Sequence, residues 1–401
     1  MSAGYSMGAM QGTRQHPIPE PTFQRMTKPV SYHLGSFPPE SLEWERVIPF
    51  IGPASSALAR YDGLLSAIPN AAVLLSPLTT QEAVLSSRIE GTVATMGEVL
   101  EVEAGGEPEG MTDPKRGDIE EIVNYRHAMR MLVGELDQRR LSQHLLRQAH
   151  SILMQGVRGR DKSPGNYRTE QNWIGPRGCT IEDASFVSVA PEHLQAGMDR
   201  WEAFLLDNKQ ADRLVQLAII HVEFEALHPF MDGNGRLGRM LVPLYLYERR
   251  LLTSPDFYMS EYLEANRETY VNRLRDVSAT GDWTSWCTFF LEGLRLQAVE
   301  NESKARAILD LYESIKEQVI GLTHSQHAIR AVDFMFMTPI FKGPDFVRGA
   351  RIPRPTATRI LALLRGGDAP LLRTVREGRG RRPGIFAFPQ LLNVAEGRSV
   401  F

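Results

Sequence analysis

The sequence predicts a mainly α protein interrupted by one small β-hairpin and closed by a C-terminal domain of winged-helix order. Three observations carry this prediction. Apolar residues recur at helical spacing over 117–134, 141–155, 191–207, 211–227, 235–250, 260–276 and 282–320. Side chains alternate on either side of a Gly/Pro turn between Gly165 and Val189, the pattern of a hairpin. From 327 onward the chain reads as a helix to about 337, a turn and a second helix from Pro353 to Arg365. Two strand-like runs follow, Leu371–Val375 and Gly384–Pro389, around the Arg-rich turn at 376–382.

Composition sets the frame for these elements. With 401 residues, 42% hydrophobic and 23% charged, the chain is long enough for two or three domains with apolar cores. No window approaches eighteen uninterrupted apolar residues and the N-terminus lacks an apolar signal core, so neither membrane insertion nor secretion is expected. Two cysteines, Cys179 and Cys287, are too few for a disulfide framework or a zinc cluster and fit a cytoplasmic location. The net charge of −3 is unevenly spread: from residue 341 on, twelve Arg and Lys face four Asp and Glu.

Taken in order, residues 1–30 are rich in Gly, Met and Pro without periodicity and are expected to form a flexible arm. An N-terminal helical region spans 31–112 and contains a short helix at 79–91, started by a Thr79–Glu82 capping box and stopped by Gly91. After the acidic, glycine-rich break at 103–110, a second, larger helical domain is expected over 113–300. A connecting helix at 301–326 and the winged-helix domain at 327–395 complete the chain.

The stretch His228-Pro229-Phe230-Met231-Asp232-Gly233-Asn234-Gly235-Arg236-Leu237-Gly238-Arg239 lies between two strongly helical segments. Glycines around Asn234 let the backbone turn sharply and direct successive N–H groups to one place, which makes an anion nest. The following helix adds the positive end of its dipole. Arg236 and Arg239, three apart on that helix, reach toward the same polyphosphate. Asp232 would repel phosphate unless a magnesium ion (Mg2+) bridged the two, so it is the expected metal ligand. His228, with an ordinary pKa of about 6.5, is suited to take a proton from a hydroxyl near neutrality.

These residues match, at every defined position, the Fic (Fido) signature His-x-Phe-x-Asp/Glu-Gly-Asn-Gly-Arg-x-x-Arg. The resemblance covers roughly 35–300 and includes Gln171-Asn172-Trp173-Ile174-Gly175, similar to the family's hairpin flap. It implies a Fic-type helical core and a nucleotidyltransferase that moves AMP from ATP to a Ser, Thr or Tyr hydroxyl of a target protein, or of itself. His228 would be the base and Asp232 would bind magnesium. Pro229, Phe230, Met231, Gly233, Asn234, Gly235, Arg236 and Arg239 would form the nucleotide loop, with Phe230 as its buried anchor and the flap clamping the target chain as an added strand. Asn266 lies where related sequences place a nucleotide-contacting residue, and is equally at home on a helix surface. Glu223 faces either the site or solvent.

Ser86-x-x-x-Glu90-Gly91 resembles the family's inhibitory motif, which implies that Glu90 pairs with Arg239, displaces the γ-phosphate and holds the enzyme inhibited. The same carboxylate would permit reversal by positioning a water. Similar basic appendages occur in the family, and Arg354, Arg359, Arg379, Arg381 and Arg382 are the expected contacts to DNA or protein. Two other readings stand beside AMP transfer: a DNA-binding regulator with a Fic nucleotide sensor, and a Fic enzyme using another donor. A homo-oligomer is compatible with all three.

Overall fold

The segment Leu-Val-Gln-Leu-Ala-Ile-Ile-His-Val-Glu-Phe-Glu-Ala-Leu, 214–227, is buried along its whole length, which places its helix at the centre of the molecule. The computed structural model describes residues 29–68, 70–156, 160–176, 178–380 and 382–400. The expected arm at 1–30 therefore lies almost wholly outside the described residues. In chain order the N-terminal helices are α1 (Trp44–Ala67), α2 (Ala71–Leu74), α3 (Ser76–Ile89) and α4 (Met96–Glu103). The central group is α5 (Asp113–Leu136), α6 (Gln143–Leu153), α7 (Pro191–Leu206), α8 (Arg213–Leu227), α9 (Asn234–Glu248), α10 (Ser260–Ala265), α11 (Arg267–Thr280) and α12 (Trp283–Thr323). The C-terminal part holds α13 (Ala328–Met337), α14 (Gly343–Gly349), α15 (Arg354–Arg365) and α16 (Pro389–Glu396).

Asp212 starts α8 by accepting from the N–H groups of Leu214 (2.8 Å) and Val215 (3.0 Å). Polar side chains inside so apolar a helix need internal partners. Gln216 donates to the carbonyl oxygens of Phe204 and Asp207, and His221 bonds the Gly238 carbonyl and the Tyr270 hydroxyl. Helix α12 packs along both α1 and α8, with the Trp286 indole donating to the Ala218 carbonyl at 2.7 Å. No described helix is long and apolar enough to cross a membrane.

Two small three-stranded sheets flank the helices. In the first, β2 (Trp173–Ile174) pairs antiparallel with β3 (Phe186–Val187), which confirms the hairpin. Its third strand, β1 (Val30–Ser31), runs parallel to β3, so the arm ends as a sheet strand rather than as loose chain. In the second sheet, β4 (Ile340–Lys342) and β5 (Arg373–Arg376) both pair antiparallel with β6 (Ile385–Ala387). Strand β4 and helix α14 sit between the two helices expected there; each is too short for periodicity to reveal.

Several expectations are corrected. The helix expected at 79 begins at Ser76 without a side-chain cap, and Thr79 and Glu82 form no capping box. Instead Thr79 bonds the Tyr258 hydroxyl at 3.1 Å, and the buried Glu82 accepts from the N–H (3.0 Å) and hydroxyl (2.6 Å) of Ser260. The segment 260–276 is broken at Asn266 into α10 and α11. The boundary at 300/301 falls inside α12, one unbroken helix of 41 residues. Arg359 donates to the Thr323 carbonyl at 3.0 Å and so ties α15 to the end of α12, while Arg381 lies outside the described residues.

Candidate functional site

The loop between α8 and α9 is held by buried polar side chains that the rest of the core supplies. His228 ends α8 in the left-handed conformation (φ 48°, ψ 61°), its N–H on the Phe224 carbonyl. Its Nδ1 lies 3.2 Å from the Glu225 carbonyl. A carbonyl oxygen only accepts, so Nδ1 carries the proton and Nε2 keeps a free lone pair. Burial, partly offset by the Glu225 carbonyl and by Glu90, holds the imidazole below its ordinary 6.5. The ring is therefore a neutral proton acceptor at pH 7.

Arg168 is the main fixture beneath it. Its guanidinium donates to the carbonyl oxygens of His228 (2.9 Å), Leu227 (3.3 Å), Glu170 (3.0 Å) and Val189, and its own N–H to that of Pro229 (3.0 Å). Burial lowers its pKa to about 10, which still leaves a cation. Asn234 brackets Phe230, accepting from its N–H and donating to its carbonyl, both at 2.8 Å; Asn172 donates to the same carbonyl at 3.0 Å. Phe230 is fully buried and stacks on His150, ring centroids 3.9 Å apart. His150 Nδ1 accepts from the Gly165 N–H (2.8 Å), so its Nε2 donates to the Asp232 carbonyl (3.0 Å). Burial brings this ring to about 4. Pro229 is buried in the loop and Met231 is half-buried.

Gly233, at φ 78°, turns the chain into α9. Over the first turn of that helix lies a carboxylate: a Cβ on Gly235 would meet Glu90 Oε1 at 2.3 Å. Arg239, 1% exposed, binds Glu90 Oε1 at 2.5 Å and, through Nε and Nη2, the hydroxyl and carbonyl of Ser86, both at 2.8 Å. Burial alone would lower Arg239; Glu90, Tyr270 and Glu225 outweigh it and raise it. The Glu90 side chain is 38% exposed; what burial would add is outweighed by Arg239, Arg236 and His228, which hold its carboxyl below the ordinary value. Gly91 leaves the helix at φ 99°, where a side chain would be strained.

The second arginine is engaged differently. Arg236 pairs with Glu121 at 2.9 Å and with Asp232 Oδ1 at 3.2 Å, and the Gly233 N–H donates to the same Oδ1 at 2.6 Å. Asp232 remains 49% exposed and opens on a cavity of about 510 Å³ shared with Arg236, Glu120, Glu121 and Met154.

The structure thus brings together His228, Asp232, Gly233, Asn234, Gly235, Arg236, Arg239, Ser86, Glu90 and Gly91. Glu223 is not among them. It is fully buried and bonded by Tyr32 (2.6 Å) and His33 (2.9 Å), where it anchors the segment that carries β1. Asn266 donates to the Tyr262 carbonyl at 2.9 Å and sits one turn before Tyr270, which bonds His221. Sequence reasoning missed Arg168, His150, Glu121 and Glu225, and placed Asn172 only in the flap rather than on the Phe230 carbonyl. Glu225 lies beside Arg239, is raised to about 7 by burial, and is pressed so close to α9 that a Cβ on Gly238 would meet its Oε1 at 2.1 Å. Only the spacing Glu225-x-x-His228, on one helix face, offered a signal for any of them.

Residues 48–132 match the Fic/DOC family N-terminal model and residues 140–246 match the Fic/DOC family model. A probable protein adenylyltransferase of Aquifex aeolicus (strain VF5) is 38% identical over 73 residues, 18% of this chain and only one fifth (20%) of that relative's length. A Fido domain-containing protein of Dictyostelium discoideum is 28% identical over 117 residues, 28% of this chain and 71% of that protein. The crystal structure of a Fic family protein from Desulfovibrio desulfuricans G20 superposes with a TM-score of 0.55 at 20% identity, covering 88% of this chain and 98% of that one, and so shares its fold. The chain thus carries, in sequence, a region that matches the Fic/DOC family N-terminal model and a region that matches the Fic/DOC family model.

Proposed function

We propose that this protein is an autoinhibited protein adenylyltransferase that moves AMP from ATP to a Ser, Thr or Tyr hydroxyl of a target protein or of itself. The observation that carries this reading is the Glu90 carboxylate seated over Gly235 against Arg239, beside a neutral His228. The chain's own anion occupies the place a phosphate would take, which supports a phosphate cradle at the N-terminus of α9. The relative named as a probable protein adenylyltransferase supports the choice of reaction.

In this mechanism the backbone N–H groups at the start of α9 hold the phosphates, and Arg239, once free of Glu90, takes the γ-phosphate. Asp232 would hold magnesium. No cluster of three or more metal-ligating side chains exists among the described residues, and one exposed carboxylate plus phosphate oxygens and waters is the donor set magnesium accepts. Bound there, the ion would offset phosphate charge. His228 Nε2 takes the hydroxyl proton as that oxygen bonds to the α-phosphorus, and the bond to the departing pyrophosphate breaks. Strand β2 lies at a sheet edge with Trp173 and Ile174 exposed, and would receive the target as an added strand.

A second reading, a DNA-binding regulator in which the Fic domain senses nucleotide, draws on the C-terminal domain. Its order α13, β4, α14, α15, β5, β6 is compatible with a winged helix, and the side chains of Arg354, Arg373, Arg379 and Arg382 are exposed with no ion pair among the described residues. A cytoplasmic location belongs to both readings. Incubating the purified protein with α-labelled ATP and magnesium, as wild type and as Glu90→Gly, separates them. Label on protein in the Glu90→Gly sample supports transfer, whereas nucleotide that binds without ever labelling protein would leave the sensor.

A further inference from the structure

The inhibitory segment is held from two sides, and one of them is the C-terminal domain. On the catalytic side the Val93 N–H donates to Asp118 (3.0 Å), Lys115 pairs with Glu98, and Arg126 pairs with Glu103 at 2.5 Å. On the opposite side α3 lies against α13 and α16, and the Ser76 hydroxyl donates to the Met337 carbonyl at 3.3 Å. Arg376, at the end of β5, pairs with Glu101 of α4 at 3.2 Å and also donates to the Glu107 carbonyl. Beside it Gly106 is covered by the second sheet, where a Cβ would meet Ile385 Cδ1 at 2.8 Å. Helix α4 starts at Met96, six residues after Glu90, so the segment Arg376 contacts lies close in the chain to the Glu90–Gly91 turn.

The same arginine belongs to the basic surface. Arg376 opens the turn that carries Arg379 and Arg382, with Arg373 at the start of the same strand, and the side chains of Arg373, Arg379 and Arg382 have no ion pair among the described residues. Phosphates collected there would compete with Glu101 for Arg376. The Arg376–Glu101 pair is partly exposed, with Arg376 at 39%, and such pairs are weak. Weakness is what a releasable contact requires. We propose that the C-terminal domain clamps the inhibitory segment through Arg376, and that duplex nucleic acid bound on the basic turn releases the clamp by competing for that arginine. This rests on Glu90 being inhibitory, as argued above.

The test uses the full chain and measures self-labelling from α-labelled ATP with magnesium in wild type, Arg376→Ala, Arg376→Lys, Glu90→Gly and Glu90→Gly/Arg376→Ala. Each is run with and without a random-sequence DNA duplex at low salt. Arg376→Ala should raise labelling about two- to five-fold, the scale of one partly exposed ion pair, while Arg376→Lys stays near wild type. The duplex should raise wild type by a similar factor, leave Arg376→Ala where it is, and change neither variant that lacks Glu90. Coupling is reciprocal, so Glu90→Gly should also bind the duplex more tightly than wild type. Strong labelling by Glu90→Gly, with Arg376→Ala equal to wild type, overturns the clamp and leaves the site reading intact. A duplex that binds wild type without raising its labelling overturns the release step. If Glu90→Gly itself acquires no label, the transferase reading fails and takes the clamp with it.

Discussion

The loop 228–239 and the segment Ser86–Gly91 meet at Arg239, yet they are held in opposite ways. The loop is fixed by buried groups that each make two or more bonds: Arg168 to four carbonyl oxygens, Asn234 to both sides of Phe230, His150 between Gly165 and Asp232. Among the described residues Glu90 has one charged partner within bonding distance; it is 38% exposed and is followed by a glycine. On the proposed function, groups that must sit in one geometry for chemistry would be over-determined by the core, whereas the carboxylate that must leave would be retained more lightly. The difference is what the proposed function requires of a rigid catalyst with a removable occupant.

Experiments can break this contrast or sharpen it. The largest effect is expected at His228: His228→Ala should reduce transfer by about 10²- to 10⁴-fold, the range for losing a general base, while ATP binding, followed by equilibrium dialysis, stays near wild type. Retained transfer would remove His228 from the chemistry. Glu90→Gly should move labelling in the other direction. A charge-assisted bond is worth about 1.5 kcal/mol at the low end, appropriate to a half-exposed carboxylate, which is about a tenfold rise. An unchanged rate would make α3 ordinary scaffold.

Arg168→Met probes the rigid side of the comparison. Each carbonyl left without its donor is worth about 1–3 kcal/mol, so a lower urea midpoint is expected, with labelling lost even where the protein remains folded. Normal activity and an unchanged midpoint would mean that the loop does not depend on its buried supports. The smallest effect is a shift in pH dependence. Because burial holds His228 below 6.5, the base form persists to lower pH, and the acid limb of the kcat/KM profile should fall below pH 6.5. Glu90 favours the protonated ring, so Glu90→Gly should move that limb lower still. A limb above 6.5 in both proteins would contradict the environment assigned to His228.

Most helices were legible because apolar spacing is a local property, and α8 and α9 followed it closely from Arg213 to Leu227 and from Asn234 to Glu248. The candidate loop was legible for the same reason: its histidine, aspartate, glycines and arginines lie within twelve consecutive residues. The Ser86–Gly91 pattern pointed at Arg239, and the structure places Glu90 on it. Where a residue's role depends on what packs against it, local pattern misled. Thr79 and Glu82 have capping-box spacing, but a carboxylate buried against Ser260 is satisfied there and not at a helix start. Two-residue strands such as β1 and β2 exist only because a neighbouring backbone supplies their partners.

By itself the sequence determined the helical class and the position of the glycine-rich loop between two helices, since each is written in consecutive residues and in backbone preferences that need no distant partner, while Glu90 was singled out only by its resemblance to a family motif. Only the tertiary structure decided which charges meet. It sent Glu223 to Tyr32 and His33 rather than to the site, Arg236 to Glu121, Arg359 to the end of α12, and Arg376 across to Glu101. The reason is physical: a buried or half-buried charge takes whichever partner the packing of remote elements brings within about 3 Å, and no spacing along the chain encodes that meeting.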